Sequence, residues 1–217
     1  MPISMKKASH ETHFYAWSHP VCSVKLASQE FNLDKYDECI HLTNASIQQK
    51  YFHQNSNENL PNHHMWNLGT FILYLENEYG KGDVWDKSIF PEINRSLRKI
   101  AHSMAYHTEL TPGRFEIFGC DWIITEDFKP YLLEINRPPC LGIYSPVSVS
   151  VCGKICEDLV KVVVDRMMNG EEDTGEFEII YQAKIDDLKR GSLRRASTVS
   201  MASDKGSHIF NRRFSML

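Results

Sequence analysis

The sequence predicts an α+β protein in which helices cover an antiparallel sheet, followed by a C-terminal tail with little to bury. Three observations predict it. Residues 115–136 hold two runs of aromatic, β-branched and aliphatic residues on either side of a polar connection that ends in Pro130. Residues 68–104 and 146–167 carry three apolar stripes at helical spacing. From about Gly170 the chain turns acidic and then becomes rich in serine and arginine.

In chain order, residues 13–31 read as a strand, a turn at Ser18-His19-Pro20 and a second strand around Val21–Leu26. Residues 52–64 are polar and asparagine-rich, which predicts a loop. Leu68, Phe71, Ile72, Leu75 and Tyr79 predict a helix stopped by Gly80, and Ile89, Ile93, Leu97, Ile100 and Met104 a second with Pro91 in its first turn. Ser145-Pro146 can cap and start a third. Its Val151, Ile155, Leu159, Val162, Val163 and Met167 form one face before Asn169-Gly170 ends it.

The chemistry lies in the hairpin. Asp121, Glu134 and Asn136 put oxygen-bearing side chains into two otherwise strand-like runs. If Ile124 faces Tyr131 across Thr125–Pro130, Asp121 falls opposite Glu134. Alternation in twos then adds Asn136 to that face and turns Leu133 and Ile135 to the other. Like charges directly opposed destabilise a ribbon unless a cation lies between them. Two carboxylates and an amide oxygen suit Mg²⁺, a hard ion that keeps several waters and is completed by phosphates. The alternative is that Asp121 caps a bulge at Gly119 and Glu134 is a solvated strand residue.

The stretch FEIFGCDWIITEDFKPYLLEINRPP, with HLTNASIQ at 41–48, resembles the C-terminal half of the tubulin tyrosine ligase-like family. The resemblance implies an ATP-grasp fold and a ligase that uses ATP and Mg²⁺ to activate a carboxylate on tubulin as an acyl phosphate, which an amino acid's amine then attacks. It implies Asp121, Glu134 and Asn136 as metal ligands and Thr43 and Asn44 as nucleotide contacts, with Ser46 near the incoming amino acid. The approach FYAWSHPVCSVKLASQEFNLDKYDECIHL is most similar to the branch that adds glycine. There Lys25 stands where the family commonly has an arginine that holds the amino-acid carboxylate. Lysine keeps the charge but loses the planar fork, and a plain solvated strand lysine is the alternative.

The resemblance covers roughly residues 13–169, and nothing before Met1 corresponds to the family's upstream half with its phosphate-gripping lysines, so an incomplete chain is expected. Residues 1–170 are expected to form the family portion and 171–217 a tail, disordered from about Arg190. Three readings stay open: a glycine ligase acting on tubulin tails, a glutamate ligase of the same family, and a non-catalytic microtubule-binding remnant.

Composition fits this. A chain of 217 residues with 42% hydrophobic content can bury a sizeable core, and a net charge of -4 gives no support to nucleic-acid binding. No run reaches membrane-spanning length, MPISMKKASHETH lacks the apolar core of a signal peptide, and the six cysteines have no zinc spacing, so reduced thiols and a cytoplasmic or cytoskeletal setting are expected, with the cilium or axoneme as the site the resemblance implies. RRAS at 194–197 and RRFS at 212–215 place two arginines ahead of Ser197 and Ser215, a pattern basophilic kinases favour; phosphorylation there would reverse the local charge.

Overall fold

The computed structural model describes residues 13–54, 64–107, 111, 113–170 and 172–188. The chain forms two compact units. The larger, His19–Ile93 with Ile117–Glu178, holds every candidate site residue. Its elements are β2 (Ser23–Lys25), the short helices α1 (Glu38–His41) and α2 (Ala45–Gln48), β3 (Met65–Asn67), α3 (Leu68–Tyr79), β4 (Gly119–Ile124), β5 (Pro130–Asn136) and α5 (Pro146–Val160), which continues as a wider π-helical segment over Lys161–Asn169. The smaller unit contains β1 (His13–Ser18), α4 (Phe90–His107) from Asn94 onward and nearly all of β6 (Glu178–Lys184).

Local chemistry explains the helix ends. Asn67 accepts the Thr70 backbone N–H at 2.8 Å and so caps α3. Gly80 ends that helix at φ 63°, its N–H bonded to the Glu76 carbonyl at 2.9 Å, while Lys81 N–H returns to the Leu75 carbonyl at 3.1 Å and closes the left-handed cap. Ser145 and Ser148 form a reciprocal capping box with Pro146 in the first turn of α5, and Gly170 closes the helical run at φ 75°. Leu75, Trp85, Ile89 and Ile93 form a core, with Phe71 edge-on to Trp85 and Phe90 stacked on it. The buried line of α4 then runs through Ala101 and Ala105 rather than Ile100 and Met104.

Three points differ from the sequence-based expectation. Instead of one antiparallel sheet, the described residues form three two-stranded ribbons, β1–β6, β2–β3 and β4–β5. With only three residues in each of β2 and β3, that ribbon has little ladder of its own, and α3 and α5 pack on it. The polar stretch from residue 52 begins as a 3₁₀ turn over Gln49–Gln54, and residues 55–63 lie outside the described residues. The short apolar patch after Gly170 is the strand β6, partner of β1, followed by the buried Ile185 and Leu188. In that smaller unit, Arg98 donates to the Ile180 carbonyl at 2.9 Å and His102 Nδ1 meets the Tyr181 hydroxyl at 3.1 Å. Ser197, Ser215 and the expected disorder from Arg190 lie outside the described residues.

A buried carboxylate organises the far end of α5. Asp158 is fully buried and receives the Glu176 backbone N–H at 3.0 Å, Lys154 Nζ at 2.9 Å and His19 Nε2 at 3.1 Å. His19 Nδ1 in turn accepts the Val21 N–H at 3.2 Å, so both ring nitrogens are used and the imidazole is a clasp rather than a free base. Burial alone would raise the Asp158 pKa, but the Glu176 amide, Lys154 and His19 together outweigh it and hold the carboxyl well below its ordinary 3.8. Gly175, at φ 60°, lets the following chain come close enough: a Cβ there would lie 2.1 Å from the Asp158 carboxylate.

Two outcomes follow. Gly170→Ala, where a Cβ meets open space, should lose about 1 kcal/mol in urea unfolding, whereas Gly175→Ala should lose roughly 3 kcal/mol because the methyl displaces Asp158. The folded pKa of Asp158 is depressed, so its contribution is complete above about pH 4 and disappears as pH falls below that. The stability difference between the natural chain and Asp158→Asn should therefore shrink on acidification; a difference constant with pH contradicts the clasp.

Candidate functional site

The β4–β5 ribbon brings the two acids together by a route the sequence pattern does not show. Ile124 pairs with Pro130, Ile123 with Tyr131 and Trp122 with Leu132, one residue out from the pairing of Ile124 with Tyr131. Continued regularly, that register would set Asp121 against Leu133 and turn Glu134 to the opposite face. The ladder instead skips one residue between Trp122 and Asp121, so Asp121 pairs with Glu134, Cys120 with Ile135 and Gly119 with Asn136. The irregularity is a β-bulge with Leu133 as the extra residue, not one at Gly119. Leu133 is accordingly 64% exposed, on the open side with Ile123 and Tyr131, while Trp122, Ile124, Leu132 and Ile135 are partly buried. The reversal of side-chain direction assigned to Leu133 on simple alternation is thus corrected by the bulge.

On this face the side chains touch. Asn136 Nδ2 donates to Glu134 Oε1 at 3.0 Å and to Asp121 Oδ2 at 3.3 Å. Lys25, at the end of β2, donates from Nζ to Asp121 Oδ1 at 3.1 Å. The side chains of Lys25 and Asp121 are 35% and 39% exposed, so the pair is solvent-screened and contributes below about 1 kcal/mol. Next to it, burial, with a smaller push from the Asp121 charge, raises the Cys120 thiol to about 11, which keeps that sulfur protonated and neutral beside the acids. Two carboxylates and one amide thus converge within hydrogen-bond reach of a common point, an all-oxygen donor set once Asn136 presents its Oδ1. That set fits a hard divalent cation.

Thr43 and Asn44 stand on the exposed turn between α1 and α2, and Ser46 follows, also exposed, within α2. Asn44 precedes α2 and its carbonyl accepts the Ile47 and Gln48 N–H groups; its side chain makes no cap bond. The turn is held from inside by Gln48, whose role the sequence pattern does not reveal. Gln48 is 1% exposed. Its Oε1 accepts the Ser28 N–H at 2.8 Å and the Ser28 hydroxyl, and its Nε2 donates to the Leu42 carbonyl at 2.5 Å and the Cys39 carbonyl at 3.3 Å. Both donors and both acceptor positions of the amide are filled, which fixes the end of α1 and the turn into Thr43 against Ser28. A glutamine at the end of a four-residue helix gives no sign of burial; only the distant Ser28 explains it.

The sequence model of the tubulin-tyrosine ligase family matches residues 10–171. The chain belongs to that family. Among similar proteins, tubulin glycylase 3A of Drosophila melanogaster is 35% identical over 169 residues, which are 78% of this chain and 17% of the relative. Protein monoglycylase TTLL8 of Mus musculus is 36% identical over 169 residues, 76% of this chain and 20% of the relative. Tubulin monoglycylase TTLL3 of Homo sapiens is 30% identical over 168 residues, 76% and 22%. The chain thus spans about a fifth of the length of these curated relatives, and the likeness to the glycine-adding branch carried by residues 14–42 is matched in their names. Within this member of the tubulin-tyrosine ligase family, no helix among the described residues is long and apolar enough to cross a membrane.

Replacing Gln48 by Ala should lower stability by roughly 2 kcal/mol, because the Ser28 N–H and two carbonyls lose their buried partner. Hydrogen exchange should report it: the amides of 42–48 should exchange faster in the variant while those of α5 stay protected. Uniform acceleration across both would contradict a local role.

Proposed function

We propose that this chain is the nucleotide- and metal-binding part, with ATP-grasp architecture, of a ligase that adds glycine to glutamate side chains of tubulin tails. The observation that supports the reading best is the bulge-set pairing of Asp121 with Glu134, both hydrogen-bonded to Asn136, in a family member whose relatives are named glycylases. Residues 1–170 supply most of this portion, and of the stretch 171–217 expected as a tail, the strand β6 pairs with β1 in the smaller unit.

Asp121, Glu134 and Asn136 would hold Mg²⁺, which when bound neutralises charge on the terminal phosphates of ATP. Thr43 and Asn44, on a turn pinned by Gln48, would contact the nucleotide, and Ser46, within α2, the amino acid. Lys25 supplies a cation for an oxyanion, the amino-acid carboxylate in this reading, through a single charged head and not through the two parallel bonds an arginine makes. The acceptor carboxylate takes the terminal phosphoryl group, the glycine amine attacks the activated carbonyl, and phosphate leaves with an amide formed. None of these side chains acts as a covalent nucleophile; they position and neutralise.

The test is transfer of radiolabelled glycine or glutamate to tubulin with ATP and Mg²⁺. Incorporation of glycine, lowered by roughly 100-fold or more in Glu134→Gln, is the expected result. Incorporation of glutamate selects the sister activity. No incorporation of either, with tubulin still co-sedimenting with the chain, selects a non-catalytic microtubule-binding role.

A further inference from the structure

We propose that Lys25 is the resident counter-ion of the acidic face, and that a divalent cation binds there only by displacing the Lys25 ammonium from Asp121. This deepens the metal reading of Asp121, Glu134 and Asn136 and rests on it.

Three of the four carboxylate oxygens on this face are occupied by N–H donors: Asp121 Oδ1 by Lys25 Nζ, Asp121 Oδ2 and Glu134 Oε1 by Asn136 Nδ2. A cation needs those lone pairs. The two donors differ in how they can yield. Rotating the last side-chain bond of Asn136 replaces its NH₂ by Oδ1, so the same residue turns from a bridge between the acids into a ligand. Lysine carries three donors and no acceptor, and its charge repels an incoming cation, so it has no bound role on Asp121 and must leave.

The geometry makes that exit easy and local. Lys25 is the last residue of β2, its backbone held opposite Met65, while its head reaches across 96 residues of chain to a half-exposed carboxylate. A screened pair of this kind is readily exchanged. The four-carbon stem keeps the freed ammonium near the site, where it is available to an oxyanion only after the cation has taken Asp121. Occupancy of the acids and availability of Lys25 are then one event, and by reciprocity an anion that captures Lys25 strengthens cation binding.

The experiment uses Mn²⁺ alone, titrated by electron paramagnetic resonance into the full chain and its Lys25→Met, Lys25→Arg and Glu134→Gln variants, each checked for an unchanged melting profile. In parallel, reductive methylation of Lys25 is followed by mass spectrometry with and without saturating Mn²⁺. Lys25→Met should bind Mn²⁺ roughly fivefold more tightly than the natural chain, Lys25→Arg should not, and Lys25 should methylate faster when Mn²⁺ is bound. Equal or weaker binding by Lys25→Met, or Lys25 labelling that is unchanged or slowed by Mn²⁺, overturns the proposal while leaving the metal site standing, provided Glu134→Gln abolishes binding. Mn²⁺ binding indifferent to Glu134→Gln removes the metal reading and the proposal together.

Discussion

Two carboxylates facing each other across a two-stranded ribbon are the constraint around which the larger unit is arranged. Such a pair is destabilising on its own, and the structure meets it with an amide that bridges both acids and an ammonium that takes a further oxygen. None of these contacts is deeply buried, so the arrangement is weakly held. In the proposed reading the site exchanges protein donors for a cation and phosphates, and that weakness suits it; a deep ion pair in place of Lys25 and Asp121 would resist the exchange.

Stability comes from elsewhere in the same unit. Asp158, fully buried, forms a clasp with His19 and Lys154 at the far end of α5, and Gln48 forms a second, uncharged one beneath the turn that carries Thr43 and Asn44. Each satisfies its buried polar atoms with local partners and at least one from distant sequence, His19 for Asp158 and Ser28 for Gln48. The division is physical: filled, desolvated networks fix backbone, while half-solvated ones stay open to ligand.

Much of this was legible in the sequence where a local residue dictates local geometry. Gly80 and Gly170 end helices because the left-handed conformation suits them, and Ser145-Pro146 begins one because a hydroxyl and a fixed φ do so regardless of the rest of the fold. The opposed acids were legible as well, although the register that brings them together was not. An extra residue in one strand changes no residue type, so Leu133 reads as an ordinary strand position, and its bulge is known only from the pairing on both sides. Gln48, Asp158 and β6 were hidden for a related reason. Their partners, Ser28, His19 and β1, lie 20 to 139 residues away or farther, and no periodicity within a segment encodes them.

The most direct measurement is the anomalous scattering of manganese in crystals of the chain grown with Mn²⁺ and a non-hydrolysable ATP analogue. The account requires a single peak about 2.1 Å from oxygens of Asp121, Glu134 and Asn136, with the Asn136 amide turned to present Oδ1 and Lys25 no longer bonded to Asp121. A peak elsewhere, or none while Lys25 and Asn136 still occupy the acids, would contradict it.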